Sequence, residues 1–403
     1  MKRIMILGAG ILQVPAIIKA GEMGLEVVAV DMDKEAPGFK YAGKSLAIST
    51  IDIKGVVEAA KEIGIDGVMT LASDLPMRTV AAVAEALGII GIDTETALRA
   101  TNKSLMRQCL KVNNVPVPEF IKASSYEEYL GAVKSFGTRF IVKPADNSGS
   151  RGVYLVDGGN VDGGNEDIVK KTYAYSKKYS RCGDIIVEEY MTGDEVSVET
   201  LSVNGECHVI QITDKLTTGA PNFVETGHSQ PSRFSAETAY EIKETAIAAV
   251  KAIGITNGPS HTEIMVTAEG PKIVELGARL GGDCITTHLV PLSTGVDMVE
   301  CCIKIALGET PDYSVKFSRG SAIRYFDSHK GTIEKIDGVE EAEKTDGVCQ
   351  ISFVKNAGDK IDDITSSSDR IGFVIAGADT AADAAARCEE AMKKINIKIK
   401  PDR

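Results

Sequence analysis

Two short runs, HTEIMV (261–266) and PKIVELGAR (271–279), constrain this chain more than any other feature. Both are strand-like, and Glu269-Gly270-Pro271 between them supplies turn chemistry, so the pattern predicts a β-hairpin. Such a hairpin aims Glu263 and Glu275 at one place. Hard carboxylate oxygens gathered there suit Mg²⁺ carrying a nucleotide phosphate. Lys103 and Lys143 lie upstream and supply the matching positive charge.

At 403 residues the chain exceeds the length that one hydrophobic core serves, so roughly two to four structural units are expected. Its 43% apolar and 25% charged residues are ordinary for a soluble globular protein. A net charge of −12 works against a general nucleic-acid or anionic-membrane surface, while leaving room for a local basic pocket. The eight cysteines show no CxxC spacing, and the adjacent pair Cys301-Cys302 is unsuited to a disulfide or a zinc site. They read as reduced core residues. The opening MKRIMILGAG breaks at glycine after Leu7, too early for a signal peptide, and no run approaches a membrane span. A cytoplasmic protein is expected.

KRIMILGAGILQVPAIIKAGEMGLEVVAVD reads as strand, glycine turn, helix and strand, a βαβ unit. Strand-like stretches through IDGVMTL and from Pro76 to Leu87 extend it to a small parallel sheet ending about Asp93. TNKSLMRQCLKVNN reads as a linker helix with Thr101 as N-cap, stopped by VPVP. RFIVKP and SRGVYLV flank a Ser/Gly loop; a helix near 167–179 and the strand DIIVEEYM follow. VSVETLSVNGECHVIQIT carries a strong hairpin signal at Asn204-Gly205. A helix over 236–253, the Glu263/Glu275 hairpin, a helix over roughly 284–307 and a terminal αβ segment complete the chain.

Two motif matches mislead. Gly38-Phe39-Lys40-Tyr41-Ala42-Gly43-Lys44-Ser45 fits the Walker A expression, but Pro37 precedes it and the strand-like SLAIST follows, where a P-loop needs a helix. Gly8-Ala9-Gly10, trailed by Asp31, resembles a dinucleotide fingerprint, yet Gln13 stands in place of the third glycine. It reads as a tight strand-to-helix turn that can still line a substrate crevice.

With those residues in view, the chain resembles the ATP-grasp superfamily along nearly its whole length. The resemblance implies an α/β multi-domain fold: a Rossmann-like pre-ATP-grasp domain (1–95), a linker helix (96–115), an ATP-grasp lid subdomain (116–188), a central ATP-grasp subdomain (189–315) and a C-terminal αβ segment (316–403). It implies ATP and Mg²⁺ (or Mn²⁺) as cofactors. Lys103 and Lys143 match the family's phosphate lysines, and the loop 146–152, with Ser148, Gly149 and Ser150, matches the phosphate lid. Backbone groups of Glu189 and Met191 are implied to read the adenine edge, with Glu188 beside them at the adenine amino group and Glu195 on the ribose hydroxyls. Glu263 and Glu275 match the metal-bridging pair, and Arg279 the arginine that follows it. Many members carry Asn where this chain has Gly277, which puts a second fully ligated ion in doubt.

The stretch Asn222–Ser232 resembles the ExxH loop of the amino-acid ligase branch. There Glu225 would hold an amino group and His228 would touch an acyl phosphate or relay the amine's proton. Arg324 resembles a second arginine pointing into the site, suited to a substrate carboxylate. Singly, each of these also reads as an ordinary surface residue; together and in family order they imply an ADP-forming carboxylate–amine ligase with small-molecule substrates, no nucleic-acid or membrane partner, and a possible homodimer. A biotin carboxylase, a carbamoyl-phosphate synthetase half, a purine-pathway ligase or transformylase, and a non-catalytic nucleotide-binding module remain alternatives. So does a dehydrogenase using the N-terminal turn.

Overall fold

The computed structural model describes residues 1–137, 139–157, 166–220 and 222–401. Its first sheet grows from the apolar runs read above: parallel strands Arg3–Leu7, Glu26–Val30, Lys44–Leu46 and Gly67–Met69, with Arg3–Leu7 between Glu26–Val30 and Gly67–Met69. Ile4 to Leu7 are fully buried because helices cover both faces of a parallel sheet. At the glycine turn, Gly8 adopts φ +97°, the Ala9 amide donates to the Asp31 carboxylate (2.8 Å), and the buried Gln13 amide donates to the Leu71 carbonyl (2.6 Å). The fingerprint residues are thus spent on holding the turn. The Walker A lookalike forms a short 3₁₀ turn, Pro37–Tyr41, and the edge strand Lys44–Leu46.

Two expectations fail in this region. Residues Met77–Leu87 form a helix, not a strand: Met77, Val80, Ala81, Val83 and Ala84 are buried at helical spacing, and Gly88 closes the end in a left-handed conformation. The linker is two helices, Thr94–Thr101 and Lys103–Val112, instead of one. Thr101 ends the first, its hydroxyl donating to the Ala97 carbonyl (2.7 Å). Asn102 is the true cap of the second, accepting from the Leu105 amide (3.1 Å).

A four-stranded antiparallel sheet follows, in the order Phe120–Ala123, Ile185–Glu189, Arg139–Pro144, Tyr154–Asp157. Helices Tyr126–Phe136 and Glu166–Tyr179 accompany it, over a core that includes Tyr129, Val133, Phe140, Val142, Ile185 and Val187. The larger sheet has eight strands in the order Gly270–Gly277, Gly258–Thr267, Asp194–Val203, Glu206–Thr217, Glu225–Gln230, Gly320–Tyr325, Gly372–Ala378, Val348–Phe353. Asn204 and Gly205 both take positive φ at its first hairpin, as a two-residue turn there requires. The C-terminal segment therefore extends this sheet before adding a small sheet of its own, Lys360–Ile361, Gly331–Asp337 and Asn396–Lys400.

The helix expected over 284–307 is broken into a π turn Ile285–Leu289, a helix Val290–Thr294 and a helix Met298–Ala306. Gly295 (φ +75°) ends one and Asp297 caps the next, accepting from the Glu300 amide (2.9 Å). The cysteines are free thiols, but Cys182 and Cys349 are exposed instead of core. Among the described residues no helix is long and apolar enough to cross a membrane.

Candidate active site

Strand pairing aims the acidic residues. Glu263 and Glu275 are direct partners across the hairpin, so their side chains leave the same face of the sheet. A second device acts at Glu225–Gln230, which is a strand and not the loop expected. Glu225 and His228 are three apart and would normally face opposite ways. The register slips there, with Thr217 opposite Glu225 and Leu216 opposite Gly227, and the extra residue Thr226 brings both side chains to the face of Lys215.

These residues line one cleft of about 380 Å³ between the two antiparallel sheets. The structure brings Lys103, Lys143, Ser148, Gly149, Ser150, Glu188, Glu189, Met191, Glu195, Glu225, His228, Glu263, Glu275 and Arg279 to its walls. Arg324 is the exception. It stands opposite Gly227 on the neighbouring strand, while Ile323 stands opposite His228, so its side chain leaves the other face. There it donates to the His228 carbonyl (3.0 Å) and the Ser229 hydroxyl (3.1 Å).

At the lid end, Arg107 and Lys143 share one buried carboxylate. Arg107 Nε donates to Glu188 Oε1 (2.8 Å), and Lys143 Nζ lies 2.6 Å from Oε2. Burial opposes the charge of Glu188, but the two cations prevail and hold it down at about 2. Both of its oxygens are engaged, so Glu188 acts here as the counter-ion of Arg107 and Lys143. Burial pulls the Lys143 ammonium below its usual value, and one carboxylate shared with Arg107 does not fully offset that. An arriving phosphate would. Gly149, Ser150 and Gly152 take positive φ, which turns the lid backbone into a concavity of the kind that binds anions, and the Lys103 ammonium contacts the Asn147 carbonyl within it. The Glu189 amide is already donated to the Glu119 carbonyl (2.9 Å).

Lys215, which the sequence reading passed over, sits at the centre. Its ammonium lies 2.5 Å from Glu195, 3.1 Å from Glu263 and 3.7 Å from Glu225. Burial disfavours its charge, yet the three carboxylates hold its proton well above the usual lysine range. Desolvation opposes the charge of half-buried Glu263 too, but Lys215 and His261 keep it well below the usual carboxylate range. Burial, with Glu263 and Glu225 nearby, pushes Glu195 up against the pull of Lys215. His261, given no role from the sequence, is pinned by Glu199 at 2.6 Å and lies 3.5 Å from Glu263. Burial opposes its protonation, but Glu199 carries it up to about 9.

Arg279 is held by Asp74 from the first sheet's loops, through contacts of 2.8 and 3.1 Å. Gly277 makes this possible: a Cβ there would meet the Asp74 carboxylate at 2.7 Å and Arg279 Nε at 3.1 Å. The space an Asn side chain would need is filled by that ion pair. Asp283 and Arg370 were also missed. Arg370 clamps the Asp283 carboxylate (2.6 and 2.8 Å), and His228 Nε2 lies 3.3 Å from the same group.

Among the described residues no group of three or more His, Cys, Asp or Glu side chains forms a metal cage. Two opposed carboxylates facing an anion-binding lid fit Mg²⁺ nonetheless, because that ion is usually held by one or two carboxylates together with substrate phosphates. Glu263 and Glu275 would hold it, exchanging their present contacts with Lys215 and Lys103 (2.7 Å) for the ion.

A nucleotide-sized cleft between two antiparallel sheets, with paired glutamates on one wall and lysines on the other, defines an ATP-grasp fold. Comparison with known proteins agrees: residues 136–287 match the ATP-grasp domain, and residues 324–400 match the L-amino acid ligase C-terminal domain 2. The chain is 28% identical over 284 residues to the L-arginine-specific L-amino acid ligase of Bacillus subtilis, covering 70% of this chain and 68% of that protein. It is 26% identical over 391 residues to phosphoribosylamine–glycine ligase of Methanothermobacter thermautotrophicus, covering 91% and 88%. The crystal structure of an L-amino acid ligase from Bacillus licheniformis superposes with a TM-score of 0.85 at 25% identity, covering 99% of each chain. The chain carries the ATP-grasp domain of a class of ligases and the C-terminal domain of the L-amino acid ligases. ATP with Mg²⁺ is the cofactor pair of that class.

Proposed function

We propose that this protein is an ADP-forming carboxylate–amine ligase that joins an amino acid, or a peptide-like carboxylate, to the amine of a second small molecule. The observation that carries this reading is the convergence of Glu225, His228 and Lys215 beside the Glu263/Glu275 pair, in a chain whose C-terminal part matches the L-amino acid ligase domain. Mg-ATP supplies the phosphoryl group that makes an acyl phosphate of the carboxylate, and that phosphate leaves when the amine nitrogen attacks the carbonyl carbon.

The protein's own contribution is positioning and charge. Lys143, short of negative charge behind Glu188, and Lys103 meet phosphate oxygens, while the lid backbone covers them. Glu195 is placed for the ribose hydroxyls, and the carbonyl of Glu189 with the backbone of Met191 for the base. Arg279, fixed by Asp74, faces the oxygens on which charge develops. Glu225, its carboxylate reached by the Ser367 hydroxyl at 3.2 Å, holds a substrate's α-amino group away from the reacting nitrogen. His228 takes the proton that the nitrogen sheds as the new bond forms.

Phosphate release should be measured with Mg-ATP across pairs of amino acids, with mass spectrometry of the products. The reading expects phosphate and a new amide in equal amounts, and Glu275→Gln to abolish both while the fold persists. Phosphate without an amide for any pair would sink it. His228→Ala should lower amide formation far more than ATP affinity.

A further inference from the structure

The loops that follow the four parallel strands of the first sheet each leave large apolar side chains exposed: Ile11 and Leu12, Met32, Ile51 and Ile53, and Leu75. The crevice outside the carboxyl ends of such strands is where open α/β sheets bind ligands, and clustered exposed apolar surface marks a binding face. Leu12 lines the nucleotide-sized cleft, while Ile51, Ile53 and Leu75 line a second cavity of about 250 Å³ beside it. The two share Asp74, Lys103, Asn147, Ser148 and Glu275. The side cavity therefore adjoins the cleft at the lid and at one of the paired glutamates.

The acidic groups of this side cavity are already committed. Asp74 holds Arg279, Glu275 holds Lys103, and Asp146 accepts from the Ser180 hydroxyl (3.2 Å) and the amides of Arg181 and Cys182 (2.8 Å each). Two of its cations are not. Half-buried Arg78 donates Nε to the Thr101 hydroxyl (2.7 Å), and its two Nη groups have no hydrogen bond or ion pair among the described residues. The exposed Arg181 side chain has none either. In a chain of net charge −12, unspent guanidinium charge beside an apolar wall matches a ligand with an anionic end and a hydrocarbon side. The planar fork suits a carboxylate, and Ile51, Ile53 and Leu75 offer a polar side chain nothing to bond.

We propose that this side cavity seats the amine substrate, and that this substrate is an amino acid or short peptide with an apolar side chain and a free carboxylate. Arg78 and Arg181 pair with the carboxylate, and the side chain lies on Ile51, Ile53 and Leu75. The amino group is left toward the wall that the cavity shares with the cleft. Glu225 lines the cleft and not this cavity, so the α-amino group it holds belongs to the other substrate, the one whose carboxylate is activated. The apolar residue therefore ends on the carboxyl side of the new amide. This deepens the ligase reading and rests on it for the order of joining, though not for the binding of the ligand.

Binding is measured first, by calorimetry on the full-length chain with Mg-ADP present. The probe is isocaproate, which carries the carboxylate and the apolar tail but no amino group for Glu225. Wild type should bind it, and Arg78→Met and the surface variant Arg181→Gln should each weaken it by about 10-fold or more, with Arg78→Lys recovering part of the loss. In turnover, L-leucine should serve as the amine with a KM about 10-fold or more below that of L-leucinamide, and Arg78→Met should erase that difference while leaving the KM for ATP unmoved. Ile53→Asp should remove the preference for L-leucine over glycine. Mass spectrometry should place leucine on the carboxyl side of the product. A wild type that does not bind isocaproate, or unweakened binding in both arginine variants, overturns the inference. So does leucinamide matching leucine, leucine on the amino side, or O-phosphoethanolamine preferred as the amine. No amide from any pair, with isocaproate binding that still depends on Arg78, would instead count against the ligase reading alone.

Discussion

Single side chains in this cleft are held by charges that also hold one another. Glu188 balances Arg107 and Lys143, and its folded value of about 2 lies below the ordinary 4.5. A lowered carboxylate value stabilises the fold at every pH above the unfolded value and loses that contribution as pH falls through the folded one. The shift corresponds to roughly 3 kcal/mol, present above about pH 4.5 and gone near pH 2. Glu188→Gln should flatten the fall in urea midpoint across that acid window. At neutral pH it should cost about 3–5 kcal/mol, since two buried cations lose their partner. Lys215→Met should cost a similar amount by leaving Glu195, Glu263 and Glu225 crowded without a cation. A denaturation midpoint equal to wild type would show that Lys215 is not what keeps them together.

At the level of elements, the cleft depends on where strands and helices start. Asn102 caps the helix whose first residue is Lys103, so Asn102→Ala should lower stability by about 1 kcal/mol and weaken nucleotide binding as that lysine loses its fixed origin. Gly193 opens the strand that carries Glu195, at φ +153°, and a Cβ there would lie 2.1 Å from the Val266 carbonyl oxygen. Gly193→Ala should therefore cost about 2 kcal/mol or more, read from thermal unfolding, and displace the end of the Glu263 hairpin. Elements with a strong local signal were legible beforehand: the Asn204-Gly205 hairpin, the capped helix Ala236–Ile253 and the Glu263/Glu275 hairpin. Pro76–Leu87 was misread because its many alanines blur the difference between a period of two and one of 3.6. The break after Thr294 was missed although Pro291, Gly295 and Asp297 carried its signals.

Across the whole molecule, the cleft is where separate units meet. Lys103 donates its amide to the Ala145 carbonyl just past the lid strand (2.6 Å), Leu71 just past the first sheet bridges to Leu280, and Arg370 of the C-terminal segment grips Asp283. A ligand bridging these parts should stabilise them together, by about 2.7 kcal/mol at a hundred times its Kd. Mg-ATP should accordingly raise the unfolding temperature in a concentration-dependent way, and ATP with a chelator should raise it less. Equal shifts with and without the divalent ion would remove Glu263 and Glu275 from a metal role. What the linear order of residues determined was local: lysines and glutamates on recognisable strands and helix starts, a glycine-bearing lid, and a hairpin whose opposed positions must share a face. Only the tertiary structure decided the partnerships. It turned Arg324 out of the cleft and set Arg370 on Asp283 in its wall, and placed Lys215 among three carboxylates and Asp74 in the space beside Gly277. Those outcomes follow from register, a one-residue bulge and packing between segments far apart in sequence, and no spacing along the chain encodes them.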